Sequence, residues 1–545
     1  MSPAPLGHEL IRASAGTGKT YELTNRYLRL LRCGQRPDDI LAATFTRKAA
    51  GEILGRVLLR LAEAATDEAK RAGLQAALGA ETLTREECLI VLAGMVRRLH
   101  RLRIGTLDSF FAQLAGSFSL EIGLAPGWRI SDEHEDAALR AEAMDAVLNN
   151  EDPRSLLTLL HALTGGETTR SLDREVREKI NSLYAIYRES SRDAWYRVPR
   201  LQELPEAQLS AALETLRGIP LPQHRDWDKA HRKHVQAAEA GDWEAFVKGG
   251  IAKAVAAPKT SYCTKPIETV VASAYRPLID HAKAVLMNRL ANQTEATHQL
   301  LARFHDQYQQ LKSQARVLRF EDLAFQLAER FPAILEADFG GGNKDLGERI
   351  DGDRLAVRLD SHLQHLLLDE FQDTSLAQWS VIQPLAQRIA GAESDHSLFC
   401  VGDTKQAIYG WRGGVAEIFD AVARDVANVH QRSLDTSWRS SSPVVQAVNQ
   451  IFQNLQRHKT LGDLAGAVAG WQKQFHRHQA AESKRGLNGY VCLQAARAAN
   501  SDETDLPQDI TLRFVAEQVA DWTKQAPGFD VGVLVQRNKT VRRLI

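Results

Sequence analysis

The 545 residues hold only five cysteines, no apolar stretch long enough to span a bilayer, no surplus of either charge, and no internal repeat or low-complexity tract. Each shortage closes off a class. Cys33, Cys88, Cys263, Cys400 and Cys492 are odd in number, far apart, and lack the paired spacing of a zinc site or a disulfide framework, which fits a reducing cytoplasm. Without a membrane-length run, or a basic segment leading into an apolar core at the start, a soluble cytoplasmic chain with no membrane partner is expected. The 68 basic and 68 acidic side chains cancel, whereas a protein that simply coats a polyanion usually carries a large positive surplus. Any contact with a polyanion must then be local. Arg97, Arg98, His100, Arg101 and Arg103 form one candidate cluster, with a solvated helix face as the alternative.

What is present is an ordinary globular composition, 44% hydrophobic and 25% charged, in a chain long enough for three or four domains. Glu9 to Ala13 is a short apolar strand candidate that runs into the Gly-rich turn Ser14 to Gly18. From Lys19 a helical pattern carries Leu23, Tyr27, Leu30 and Leu31 on one face, and Gly34 is placed to stop it. Ile40 to Phe45 then reads as a strand and Lys48 to Ala62 as a helix. Alternating β and α elements predict a parallel sheet covered by helices. From about residue 120 to 314 the periodicity is helical, as in Glu135 to Leu148, Asp173 to Tyr187 and Leu278 to Leu311, and Trp195, Trp227 and Trp243 read as packing residues there. Strand-like runs return at Leu363 to Leu368 and Leu398 to Val401, and again at Tyr490 to Leu493 and Val531 to Val535; Gly340 to Gly342 reads as a loop. The expected division is an α/β domain from 1–119 and 315–433, a helical insertion at 120–314, and a further α/β segment at 434–545.

Ala13-Ser14-Ala15-Gly16-Thr17-Gly18-Lys19-Thr20 fits a phosphate-binding loop, with Ala13 where the commonest form has glycine. In such a loop the backbone N–H groups of Ala15 to Gly18 curl around phosphate oxygens, Lys19 reaches the β and γ phosphates, and the Thr20 hydroxyl ligates Mg²⁺. A second carboxylate must hold the metal and another must serve the attacking water. Leu366-Leu367-Leu368-Asp369-Glu370 supplies both at the end of an apolar strand, Asp369 for Mg²⁺ and Glu370 as general base. Adjacent acids at a solvated strand end are the bland alternative.

Asp369-Glu370-Phe371-Gln372-Asp373-Thr374 resembles motif II of superfamily 1 DNA helicases of the UvrD, RecB and AddA type, and further motifs follow in the order of that family. Thr44 to Ala50 is similar to motif Ia, Gly105 to Phe111 to motif Ib, Val401 to Gly413 to motif III, and Thr436 to Ser440 to motif IV. The resemblance implies two RecA-like P-loop domains, the first interrupted by the helical insertion and the second incomplete in 434–545. It also implies ATP and Mg²⁺ as cofactors, travel 3′ to 5′ on single-stranded DNA with unwinding of duplex DNA, and work in DNA repair or recombination. A partner subunit in a helicase–nuclease complex is implied too. It places Gln406 and Arg439 at the γ-phosphate, where a guanidinium stabilises charge on the transferring oxygens. Phe45, Tyr409, Trp411 and Arg412 would line the single strand, with core packing as the alternative for Phe45 and Trp411, and Thr44, Thr46, Arg47, Thr106 and Ser109 would bond its phosphates. Phe320-Glu321-Asp322-Leu323 resembles a structural element that lies ahead of motif II in these proteins.

The pattern also departs from the family. No glutamine precedes the P-loop in Met1 to Arg12, which puts adenine specificity in doubt, and Trp438, where many relatives carry tyrosine, is the candidate to stack on adenine. Asp108 stands where many have histidine. Nothing resembles motifs V and VI, so the expectation is a chain that ends inside the second motor domain. The rival readings are a nucleotide-gated single-strand-binding subunit that does not unwind, and a P-loop small-molecule kinase, which gives Phe45, Tyr409, Trp411 and Arg439 no shared purpose.

Overall fold

The computed structural model describes residues 6–149, 172–257, 259–340, 354–360, 362–392, 395–407, 418–498 and 506–544. It divides into two compact units, Met1–Leu434 and Asp435–Ile545.

The first unit is built on a six-stranded sheet of β1 His8–Ala13, β2 Ile40–Thr44, β3 Arg103–Thr106, β4 His365–Leu368, β5 Ser397–Gly402 and β6 Val429–Leu434. Their order is β6-β1-β5-β4-β2-β3, and every pairing is parallel. This is the α/β architecture expected from the alternating pattern, and all strands present their carboxyl ends on one edge. Alternation of side chains assigns each strand's residues to two cores. Leu10, Leu41, Ala43, Leu366, Leu368, Leu398 and Cys400 face one core, and Ile11, Ile40, Ala42, Leu367, Phe399 and Val401 face the other. Helices α1 Lys19–Arg32 and α2 Arg47–Thr66 cover the second face. Helices α3 Leu107–Ser117, α5 Phe320–Gly340 and α6 Leu376–Gly391 cover the first, and α4 Thr269–Ala315 lies between α3 and α5 in sequence.

Local chemistry sets the helix ends. Gly34, at φ +87, closes α1, with its N–H and that of Gln35 bonded back to Leu31 and Leu30 carbonyls. Thr46 caps α2 through the Ala49 amide, and capping boxes start α3 (Thr106, Ser109) and α6 (Ser375, Gln378).

Between β3 and β4 the described residues are mainly helical. The 47-residue α4, on the order of 70 Å long at 1.5 Å per residue, threads two separate cores. One is built around Tyr184, Phe304 and Tyr308, the other around Trp227, Phe246 and Tyr275. Trp227 and Trp243 are buried, while half-buried Trp195 donates from Nε1 to Ser190 Oγ at 2.7 Å, so all three pack as expected.

In the second unit Thr436–Ser437 pairs in parallel with Gln479–Ala480. The expected strands at Tyr490 to Leu493 and Val531 to Val535 do not form. A strand needs a neighbour for its N–H and C=O groups, and no described segment pairs with either run. Leu493 and Leu534 are fully exposed. Gly340 ends α5 instead of opening a loop, and 341–342 lie outside the described residues.

Candidate functional site

Because the sheet is parallel, the segments following β1, β2, β3, β4 and β5 all emerge on one edge, the usual place for a ligand in an open α/β sheet. The P-loop follows β1. Gly16 and Gly18 take φ +76 and +95, values that side chains resist, and Thr17 Oγ1 ties the turn to the Ser14 carbonyl at 2.8 Å. Ala15 is exposed, Lys19 is buried and Thr20 is the second residue of α1. Gly18 provides no side-chain cap for α1, so the amides of its first turn, at the positive end of the helix dipole, suit a phosphate.

The loop after β4 meets this turn. Asp369 N–H bonds the Ala43 carbonyl at 2.8 Å, which fixes the end of β4 against β2. Glu370 is held at φ 49, ψ 42, in the left-handed region that costs a non-glycine residue energy and recurs at functional sites. Its carboxylate accepts from Lys19 Nζ at 2.6 Å and from Gln372 Nε2 at 2.7 Å. Gln372 Oε1 in turn accepts from the Asp403 amide at 2.8 Å, and Asp403 Oδ2 accepts from Gln406 Nε2 at 2.7 Å. Lys19, Glu370, Gln372, Asp403 and Gln406 thus form one chain of hydrogen bonds across the ends of β1, β4 and β5. Gly402 makes this approach possible, because a Cβ there would sit 2.3 Å from Gln372 Oε1 and 3.0 Å from the Phe371 amide nitrogen.

Negative charge accumulates here. Burial, then the neighbouring Glu370 carboxylate, raises Asp369 to about 6, with Lys19 acting in the opposite sense. Asp373 is raised to about 6 for the same reasons in the same order. A buried carboxylate whose charge is opposed by its surroundings suits a hard divalent cation. Mg²⁺ characteristically takes one or two protein oxygens and fills its shell with water and phosphate, so Asp369 and the Thr20 hydroxyl are an adequate donor set. That chemistry does not require the three-ligand cluster of His, Cys, Asp or Glu that is absent among the described residues.

The residues expected on DNA follow β2 and β3. Thr46 and Arg47 are exposed, and Phe45 is half-buried in the wall of a small cavity with Asp108, Phe320, Phe325 and Gln378. Thr44 is buried, its hydroxyl unbonded among the described residues. Thr46, Thr106 and Ser109 serve as helix caps, and Ser109 Oγ donates back to the Thr106 carbonyl at 2.6 Å. Tyr409, Trp411 and Arg412 lie outside the described residues. Trp438 and Arg439 belong to the second unit, where both are exposed.

The structure adds to two readings. The basic cluster lies near the amino end of β3, away from the P-loop edge, and several of its charges are engaged: Arg98 and Arg101 meet Asp38, and Arg101 also meets Asp360. The sequence reading also gave Gln372 no role, although it links Glu370 to Asp403. Its position inside the motif II run was the available signal.

A family model described as the UvrD/REP helicase N-terminal domain matches residues 2–427. The chain is similar to proteins whose names describe one subunit of an ATP-dependent helicase/nuclease. It is 24% identical to that of Clostridioides difficile (strain 630) over 527 residues, 84% of this chain and 38% of the relative. To that of Staphylococcus aureus (strain MRSA252) it is 24% identical over 585 residues, 98% of this chain and 45% of the relative. To that of Streptococcus thermophilus (strain ATCC BAA-491 / LMD-9) it is 24% identical over 571 residues, 92% and 42%. The chain therefore spans less than half the length of these relatives.

Proposed function

Given that the chain belongs to the UvrD/REP helicase family, we propose that it is the nucleotide-binding portion of an ATP-dependent DNA helicase that serves DNA repair or recombination. In this reading it travels 3′ to 5′ on single-stranded DNA and separates duplex DNA. It works beside a partner, since its relatives are named as one subunit of a helicase/nuclease. Residues 1–119 and 315–433 are the first RecA-like motor domain, 120–314 its accessory insertion, and 434–545 part of the second motor domain.

The observation that carries the proposal is the Lys19–Glu370 contact, 2.6 Å across 351 residues of sequence. It puts a phosphate-binding lysine and the proposed base at one point. Triphosphate is the stronger partner for Lys19, because it offers more negative charge than one carboxylate. Its arrival draws the ammonium away and leaves Glu370, still oriented by Gln372, to accept a proton from water. Mg²⁺, held by Thr20 and Asp369, would neutralise charge on the β and γ phosphates. Gln406, bonded to Asp403, is set to report whether the terminal phosphate is there, and Arg439 would stabilise its charge from the second unit. Phe45, Tyr409, Trp411 and Arg412 would hold bases by stacking and cation–π contact, without reading sequence. Thr44, Thr46, Arg47, Thr106 and Ser109 would hold the phosphates, and Trp438 the adenine face.

The test is ATP turnover with and without single-stranded DNA in the wild type and in Lys19→Ala. The proposal expects DNA-stimulated turnover that the substitution removes while nucleotide-free DNA binding persists. Undiminished turnover in Lys19→Ala contradicts the P-loop assignment. Single-stranded DNA binding that responds to nucleotide, with no turnover in the wild type, favours the nucleotide-gated binding protein.

A further inference from the structure

At the sheet edge opposite the P-loop, a cleft of about 440 Å³ is lined by Asp38, His100, Arg101, Arg103, Gln113 and Asp360, among others. Its floor is Asp38, whose side chain is 2% exposed and which faces Arg36 at 2.5 Å, Arg98 at 3.3 Å and Arg101 at 3.8 Å. A buried carboxylate shared by three guanidinium groups fixes them in place without neutralising them all. Those arginines remain 53%, 46% and 34% exposed. Arg103 adds a fourth positive charge and is held by uncharged acceptors, Gln113 Oε1 at 2.9 Å and the Leu359 carbonyl at 2.5 Å. Its Nε is buried with no hydrogen-bond partner among the described residues. The charged side chains of the cleft lining are Arg101, Arg103, Asp38 and Asp360; Arg36 and Arg98, which meet Asp38, and Asp39, 4.0 Å from Arg36, are not part of that lining, so displacing Asp360 leaves two lining arginines to one buried carboxylate.

Asp360 differs from the other two acids. It is 89% exposed, its carboxylate accepts from Arg101 Nη2 at 2.7 Å while its backbone carbonyl accepts from the same nitrogen at 2.9 Å, and it takes φ 51, a left-handed conformation that aspartate adopts more readily than most residues. A carboxylate this exposed contributes little as an ion-pair partner and is readily displaced.

We propose that this cleft is a second oxyanion site, for a phosphate group, in which the Asp360 carboxylate is an internal placeholder that the phosphate displaces from Arg101. The phosphate could be supplied by a nucleic-acid backbone or by a free polyphosphate, and two probes separate these sources. The site stands apart from the P-loop and does not depend on the function assigned to it.

The experiment uses the full chain carrying Lys19→Ala, so that the P-loop contributes little. Inorganic pyrophosphate is titrated by calorimetry, and a short DNA duplex by fluorescence anisotropy at fixed salt. Asp360→Asn should bind about two- to fivefold more tightly, the equivalent of removing one exposed ion pair. Arg101→Gln should bind about tenfold or more weakly, the effect of losing a charge-assisted hydrogen bond. Changes seen with pyrophosphate assign a free polyphosphate, and changes confined to the duplex assign the nucleic-acid backbone. If Asp360→Asn, with unchanged thermal stability, tightens neither probe, the proposal fails; because Asp360 is at the surface, this result does not depend on whether Arg101→Gln folds.

Discussion

Gly402 illustrates how much of the site depends on atoms that are not there. Giving it a methyl group, as in Gly402→Ala, should cost about 1 to 3 kcal/mol through overpacking against Gln372, Phe371 and Phe419. Turnover per folded molecule should fall as well, because the Asp403–Gln372 bond cannot form at its present length; a stable, fully active variant would show that the contact is dispensable. A second residue ties stability to pH. His365 is wholly buried at the start of β4, bonded to Ser397 Oγ at 2.9 Å, and burial first, then His396 and Arg26, lowers it to about 4 from 6.5. The fold thus favours neutral imidazole. The resulting stability is complete above pH 6.5 and is lost as pH falls toward about 4. From about pH 7.5 to about pH 5.5 the loss from this group should be roughly 1 kcal/mol. His365→Asn should flatten the denaturation profile by about that amount, and an unchanged slope would remove His365 from the account. Little at this scale was visible in the sequence beyond the motifs. Lys19, Asp369 and Glu370 were legible because their chemistry requires one another, but Asp38 and Asp360 gave no local sign that they would engage Arg98 and Arg101.

At the scale of elements, legibility followed periodicity. Helices α1, α2 and α4 were readable because each buries a face whose repeat of about 3.6 is written locally, and strands β1, β2, β4 and β5 because strands that face two cores read as short apolar runs. Tyr490 to Leu493 and Val531 to Val535 carry the same strand signal but find no pairing neighbour among the described residues, a condition that local pattern cannot report. The elements that end in caps raise a sharper question, since Thr106 serves α3 and is also proposed to hold DNA. Thr106→Ala should cost about 1 kcal/mol of stability as a lost cap. If the DNA proposal holds, single-strand affinity per folded molecule should fall too, across all base compositions. A stability loss with unchanged affinity would leave Thr106 a cap alone.

For the molecule as a whole, one parallel sheet edge gathers groups from residues 13 to 406, with the nucleotide candidates after β1, β4 and β5 and the DNA candidates after β2 and β3. β4 and β2 are neighbours, and Asp369 is bonded to Ala43, so the two sets are joined through backbone. This is the physical basis for expecting ATP use to respond to DNA. The most direct test is single-turnover ATP hydrolysis by Glu370→Gln at matched nucleotide occupancy, with and without single-stranded DNA. The account predicts nucleotide and Mg²⁺ binding close to wild type, because Lys19, Thr20 and Asp369 remain, and a chemical step slowed by about 10² to 10⁴. Hydrolysis at the wild-type rate, or a loss of nucleotide binding as severe as that of Lys19→Ala, would contradict it.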